Sequence, residues 1–431
     1  MSEVEAGPAE EAGRSRWLKL FSSAVVDQAL LSAANFLVGL LLIRNCSDED
    51  YGHYVLGFTA LLLLTGLQGA YIGGPLSVLA PRQSPERKRR MLASLYRQSG
   101  RWTARVALSL AVGCGLLGLA GWLAWSLATL GAVYCAVIAF ALQREYLRTG
   151  LMIYERPQAV LRADLVYVAL LVAGVAAAAL LAEPAVPWAF AAMAAASLVG
   201  ARLAHRELAR AAGLHGEELP GLWRELAPLG GWAMVGTLVY WSFSQGYNYV
   251  VAGTLDLAAV AALNAARLLM MPANLMVSGI KQLLLPMAAR WHQSLGLDPM
   301  LRRLLGFAAA VMALSLIYFG LLWLLRDWVF AVVLKKQFAD RDEMLLLWML
   351  MFLIAGLRDL LMTGLLVRER FRSMTGLSSV SALFSLLTCW WGTQIYGPAG
   401  AILGLVLGET INLVGVLWLT VRERRLQARA T

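Results

Sequence analysis

The sequence predicts an all-α polytopic membrane protein, with about twelve transmembrane helices in two six-helix lobes around a central cavity. Three observations predict this. Hydrophobic residues make up 59% of the 431 and charged residues only 15%, and the apolar residues come in blocks of about 20, the length that crosses a hydrocarbon core of about 30 Å. Basic residues collect between alternate blocks, as they do in loops retained on the cytoplasmic side. The two halves of the chain also repeat one another's layout.

The segment 1–17, MSEVEAGPAEEAGRSRW, begins acidic and lacks the basic-then-apolar order of a signal peptide. It is expected to be a disordered cytoplasmic tail. Six spans follow at 20–43, 52–80, 104–125, 127–146, 163–182 and 186–204, giving a first lobe over 18–209. A polar cytoplasmic linker at 210–228 separates them from spans at 229–252, 257–286, 304–325, 344–366, 373–393 and 398–420, a second lobe over 229–420, with a cytoplasmic tail at 421–431. Of the 37 Lys and Arg residues, 28 fall in the terminal flanks, in the loops after even-numbered spans or, as Arg144 and Arg202, at the span ends leading into them; 5 fall in the other loops and 4 (Arg105, Arg267, Lys281 and Arg358) elsewhere within spans. Both termini are therefore expected in the cytoplasm.

Much of the net charge of +10 is this topological signal. The implied partner is the anionic lipid surface, and no nucleic acid is expected. Cys46, Cys114, Cys135 and Cys389 are scattered without a CxxC pair, and His53, His205, His215 and His292 lie at span ends or in loops. Neither a metal site nor a cofactor is expected from such spacing.

The halves echo each other at an offset of about 208 residues. Span 1, a turn with Asp48, and span 2 ending in VLAPR at Arg82 match span 7, a turn with Asp256, and span 8 ending in PMAAR at Arg290. Six spans per half give the halves the same orientation, a parallel repeat of the kind found in alternating-access transporters.

The eighth span holds an apolar stretch, AALNAARLLMMPANLMVSGIKQLLLPMAAR, interrupted by Arg267 and Lys281. Read as one helix at 100° per residue, it puts Asn264, Arg267, Asn274, Ser278, Lys281 and Gln282 within one arc of about 100°. That arc must avoid lipid, because a cation at the bilayer centre costs roughly 2.5–3.5 kcal/mol or more. Arg267 and Lys281 stand 14 residues apart, about 21 Å of helix, and suit two stations along a path, with Pro272 between them as a candidate kink. Polar stripes on other spans, Trp241 and Asn248 on span 7, Gln28 and Asn35 on span 1 and Gln68 on span 2, are expected to line the cavity with it. Tyr240 and Gln245 add sugar-pairing chemistry on span 7.

Four more ionisable residues lie in spans: Asp27, the adjacent Arg358 and Asp359, and Glu409. Neighbours on a helix point about 100° apart, so Arg358 and Asp359 are expected not to pair. Arg358 is a candidate cavity cation. Asp27, Asp359 and Glu409 read either as structural counter-ions or as sites of proton or Na⁺ coupling.

The segment NFLVGLLLIRNCSDEDYGHYVLGF, Asn35 to Phe58, followed by GPLSVLAPR, Gly74 to Arg82, resembles the start of the Wzx-type polysaccharide flippases. These belong to the multidrug/oligosaccharidyl-lipid/polysaccharide exporter superfamily. The resemblance implies that the chain moves undecaprenyl-diphosphate-linked oligosaccharide across a bacterial inner membrane for surface polysaccharide synthesis. Lipid-linked oligosaccharide and membrane lipids would be its partners, with a polysaccharide polymerase or chain-length machinery beside it. Arg267 and Lys281 are similar in placement to the cations such flippases use for the diphosphate. Two other readings compete. A multidrug or organic-cation antiporter of the same superfamily often carries an acid in span 1, which Asp27 resembles, but Arg267 and Lys281 would repel its cations. A membrane glycan polymerase or ligase would present reactive residues in a long outer loop, yet the longest, Asp327 to Glu343, has about 17 residues and no histidine. The chain is thus not expected to be an enzyme.

Overall fold

A computed structural model describes the backbone of residues 8–214, 217–338, 340–368 and 370–430. The side chains of 8–22, 24, 25, 282, 371 and 426–430 are outside the description. Residues 1–7 of the expected tail and His215 lie outside the described residues. Among the described residues the regular structure is helix and no strand, as a chain of apolar blocks requires where no water is present to satisfy backbone groups.

Helix α1, Pro8–Asn45, starts inside the segment expected to be a disordered tail. Helix α2, Asp48–Gln68, begins at the acidic step: the Ser47 hydroxyl accepts from the Asp50 N–H at 3.1 Å, and Asp48, Glu49 and Asp50 occupy the first turn, where negative charge meets the positive end of the helix dipole. A π-helical segment at Gly69–Gly73 leads into α3, Gly74–Leu79. Pro75 cannot donate to the ladder, and the widened turn just before it accommodates that loss. Helices α4 (Pro85–Leu119), α5 (Trp125–Ile153), α6 (Pro157–Leu181) and α7 (Ala185–Ala212) follow. Ser84 caps α4 and Pro85 takes its first turn, while Gly213, at φ 62°, ends α7.

Helix α8, Leu222–Thr254, opens the second half, and Asp256 caps α9, Leu257–Leu268, by accepting from the Ala259 N–H at 2.7 Å. The eighth span is not one helix. It breaks at Leu269 and Met270 and resumes as α10, Met271–Leu295, bent by 55° from α9. Pro272 in the first turn of α10 is the cause, since it withholds the N–H that would continue the ladder. Helices α11 (Leu297–Leu324), α12 (Arg326–Trp328), a π-helical turn at Val329–Leu334 and α13 (Arg341–Val367) complete the approach to α14, Phe371–Ala430. Helix α14 folds back at Tyr396 and Gly397; Gly397 takes φ 56°, which an L side chain rarely adopts.

By length and composition, nine helices among the described residues can cross a membrane, ten if α9 and α10 count as one bent span. The run Arg372–Arg425 counts once in that number although it holds two of the expected spans. The chain is a multi-pass membrane protein.

The chain divides into two compact units, one of residues 1–42 and 60–235, the other of 43–59 and 236–431. In the first, α7 packs on α5 and α6 through small residues. Gly174 faces Ala192 so closely that a Cβ would sit 2.7 Å from the alanine methyl, and Gly200 leaves room for the Arg144 side chain and Tyr167. Leu92, Leu95, Leu147, Leu151, Val160 and Leu208 are fully buried between α4, α5, α6 and α7.

The segment following α7 is clasped to α4. The Leu219 N–H donates to the Ser94 hydroxyl at 2.9 Å, Gln98 donates to the Leu219 carbonyl at 3.3 Å, and the Trp223 indole donates to Gln98 at 2.9 Å. Arg101 and Arg97 converge on Glu218 at 2.6 and 3.3 Å. The hydrogen bond from Arg101, followed by its charge and then by Arg97, holds the Glu218 carboxyl below the usual carboxylate range. A group with a lowered folded pKa contributes stability above its unfolded pKa and loses it as pH falls through the folded one. Acidification below the carboxylate range, or Glu218→Gln at neutral pH, is therefore expected to speed exchange of the Leu219 amide, corrected for intrinsic rate. Unchanged protection would show that the clasp holds without its charge.

In the second unit the two limbs of α14 meet along a stripe of small residues. Gly400, Gly404 and Gly408 recur every four residues and face Gly392, Cys389 and Ser385; a Cβ on Gly404 would lie 2.5 Å from the Cys389 nitrogen and 2.8 Å from the Ser385 carbonyl oxygen. Such stripes let helices associate in lipid, where no hydrophobic force separates them from their solvent. Gly404→Val is expected to cut membrane abundance severely, read by immunoblot, whereas Gly279→Val, where no atom of the described residues stands within 4 Å, should not.

Candidate functional site

A chamber of about 160 Å³ lies within the second unit, among α8, α9, α10, α11, α13 and α14. That is room for on the order of ten waters. Arg267 closes the last turn of α9 and lines the chamber, a favourable place for a cation beside the negative end of the helix. The first turn of α10 brings Ala273 and Asn274 to the same wall. The break that makes this possible exposes backbone groups, and Tyr318 repairs one of them by donating to the Leu269 carbonyl at 2.7 Å.

Opposite charges on α13 and α14 complete the lining. Arg358 donates through Nε and Nη2 to Glu409, each at 2.9 Å, and through Nη1 to Asp359 at 2.6 Å. The expectation that Arg358 and Asp359 would not pair is corrected by this geometry. The guanidinium is long and forked, so one arm reaches back to the adjacent carboxylate while the other edge holds Glu409. Lys281, from α10, reaches Asp359 at 3.4 Å. Lys281, Asp359, Arg358 and Glu409 thus form a chain of two cations and two anions that sums to zero.

Arg267 stands outside that chain. It donates to the Gln245 side-chain oxygen at 3.2 Å and sits 5.9 Å from the ring centres of Tyr247 and Trp348. Among the described residues no carboxylate comes within salt-bridge reach of it. A layer of buried amides fixes its partner: Asn248 donates to Gln245 at 3.4 Å, Asn264 to Asn248 at 2.6 Å, and Tyr247 to Asn264 at 3.2 Å. The Trp348 indole donates to the Leu263 carbonyl at 3.0 Å, pinning α9 to α13.

The residues singled out in the sequence therefore divide. Arg267, Asn274, Arg358, Asp359 and Glu409 meet at the chamber, with Tyr240, Ser244 and Gln245 beside them. Asn248 and Asn264 are buried behind it, bonded to each other. Ser278 is exposed, and the Gln282 side chain lies outside the described residues. Trp241 donates to the Thr59 carbonyl at 2.9 Å and leans on Tyr249. The single arc inferred for span 8 does not survive the bend between α9 and α10, which separates Arg267 from Lys281 by a change of axis.

The others belong to the first unit. Gln28 is exposed, Asn35 half-buried, and Gln68 lines a separate small cavity. Asp27, 3% exposed, is held by Arg148 at 2.7 Å. This contact reveals a cluster that sequence reasoning missed. Arg148 is also ion-paired with Asp164 at 2.6 Å and with Glu145 at 2.8 Å, and Arg144 is ion-paired with Asp164 at 3.1 Å while stacking on Tyr167 at 3.5 Å. By the charge count Arg144 and Arg148 belong with the basic residues that follow span 4; the structure keeps both in α5, one turn apart and paired with buried acids. Their spacing of four, together with an acid early in the next span, was the available signal.

No protein-family model matches the chain, and no curated protein matches it in sequence. Solved structures do resemble it. An inward-facing multidrug resistance MATE family transporter of the MOP superfamily matches with TM-score 0.73 and 12% identity over 92% of this chain and 96% of that one. The lipid II flippase MurJ, in an inward closed conformation, matches with TM-score 0.71 and 10% identity over 93% and 87%. The Vibrio cholerae MATE transporter VcmN matches with TM-score 0.62 and 16% identity over 95% and 97%. At these identities the likeness is one of fold, and the fold of this chain is that shared by the MATE transporters and MurJ.

Proposed function

We propose that the chain is a membrane transporter that translocates an undecaprenyl-diphosphate-linked oligosaccharide across a bacterial inner membrane, with both termini in the cytoplasm. The observation that carries this reading is Arg267 on the chamber wall with no carboxylate among the described residues in salt-bridge reach, while the chamber acids Asp359 and Glu409 are engaged by Arg358 and by Lys281 behind the wall. A fixed cation without an internal counter-ion, in a low-dielectric setting, favours an anionic ligand. Asn274, Ser244 and Tyr240 supply hydroxyl-pairing groups beside it for the first sugar. The chamber accommodates a charged head and not a whole glycan, so the polyprenyl tail stays in lipid and the distal sugars in water. The chamber is exposed alternately to the two sides, and polymerase or chain-length proteins take up the product.

A second reading, export of organic cations, has the fold likeness to the multidrug transporters behind it, and the chamber acids Asp359 and Glu409 would be its binding groups. Those acids are already engaged by Arg358 and Lys281, which favours the anionic substrate. The discriminating experiment reconstitutes the protein in vesicles and follows a fluorescent polyprenyl-diphosphate oligosaccharide and a lipophilic cation separately. Movement of the diphosphate lipid alone supports the proposal; movement of the cation alone overturns it.

A further inference from the structure

We propose that the first unit carries a second ligand site, for a phosphate ester: the head of an anionic glycerophospholipid, or a water-soluble glycerol or sugar phosphate. A cavity of about 210 Å³ opens between α4, α5 and α7, lined by Tyr96, Gln143, Leu198, Arg202, His205 and Arg206. None of these residues belongs to the chamber of the second unit, so the inference stands apart from the transport reading.

The cationic rim is the first argument. Arg202 and Arg206 are four apart on α7 and share a face, and like charges at that spacing repel. Neighbouring arginines find relief: Arg162 and Arg210 both reach Glu207, at 3.6 and 2.9 Å. Among the described residues Arg202 and Arg206 have no carboxylate within salt-bridge reach, and both are exposed. An anion between them would remove the repulsion and receive charge-assisted hydrogen bonds from both.

The interior is the second argument, because basic residues placed only for membrane topology need no polar cavity behind them. The His205 ring lies 5.3 Å from that of Tyr96, and Gln143 donates to the Tyr96 phenol at 3.0 Å. The phenol accepts that bond and keeps its own proton to donate. Behind Tyr96 and Gln143 a smaller space of about 70 Å³ is lined by Gln68, Ser99 and Thr103. The Gln68 side-chain oxygen there is buried, with no hydrogen-bond partner among the described residues. A buried acceptor left unpaired is costly, and a hydroxyl donor would satisfy it. Cations outside and uncharged amides and hydroxyls inside match a phosphodiester whose alcohol is a polyol, as in phosphatidylglycerol.

The test uses the full-length protein in a neutral detergent, titrated with phosphatidylglycerol, phosphatidylcholine or glycerophosphate, with bound ligand counted by native mass spectrometry. Wild-type protein is expected to retain phosphatidylglycerol over phosphatidylcholine. The Arg202→Gln/Arg206→Gln variant should lose that preference by about tenfold or more, two charged hydrogen bonds being removed. Arg210→Gln, which removes a charge of the same helix already paired with Glu207, should keep it. Glycerophosphate binding with the same arginine dependence would support the site with a water-soluble source. Equal retention in the double variant, or no preference for phosphatidylglycerol together with no glycerophosphate binding, overturns the proposal. Because the readout is binding, a protein that passes this test yet moves no diphosphate lipid would fail only the transport reading.

Discussion

Replacing Arg267 by glutamine is expected to lower transport of the diphosphate-linked lipid by about ten- to a hundredfold in reconstituted vesicles, with membrane abundance unchanged. Hydrogen bonds to a charged group contribute about 1.5–3 kcal/mol, and every 1.4 kcal/mol is about tenfold. The loss falls on the substrate because no internal carboxylate is left stranded: the Arg267 guanidinium leans on Gln245 and two aromatic rings. Glutamine can still meet the Gln245 amide, so the buried amide layer should persist. Arg267→Lys should recover part of the activity, since it restores the charge without the planar fork. Wild-type transport by Arg267→Gln would sink the proposed function.

Asp164→Asn is expected to have the largest effect on stability. Asp164 is 0% exposed, accepts a hydrogen bond from Arg144 and is ion-paired with Arg148. Breaking a buried pair by removing one partner costs about 3–5 kcal/mol, because the remaining charge stays buried. Arg148 would keep Asp27 and Glu145, but Arg144 would be left with the Tyr167 ring. A fall of about 10 °C in the thermal midpoint of the detergent-purified protein is the expected reading, taking roughly 2–4 °C per kcal/mol for a unit of this size. A midpoint within 1 °C of wild type, taken as about the noise of such a scan, would show that the cluster is not held as described.

What was legible in the sequence was what the bilayer imposes. Block length follows from the cost of burying polar backbone in hydrocarbon, so the all-helical architecture could be read from it. Pro272 also marked the bend between α9 and α10, since its lost N–H is a property of the residue itself. Pairing between helices was not legible. Whether Arg358 reaches Asp359 depends on where Glu409 lies, 51 positions later, and the Asn248–Asn264 bond joins two helices 16 positions apart. Helical periodicity assigns a face but not the residue across from it. For the same reason Arg144 and Arg148 read as topological arginines until Asp164 and Asp27 were placed beside them.

The second unit includes residues 43–59 from near the beginning of the chain, and that membership sets a schedule for biogenesis. Asp48 is held by Lys336, 288 positions later, and Gly52 packs against the Leu257 backbone with no room for a methyl. At about 5–20 residues per second of synthesis, Asp48 waits roughly 15–60 s for its partner to leave the ribosome. Gly52 meets Leu257 earlier in that interval, but the docking surface around Asp48 stays incomplete until Lys336 follows. Stalling translation between Leu257 and Lys336 would therefore leave the second unit incomplete, with Asp48 lacking its Lys336 partner.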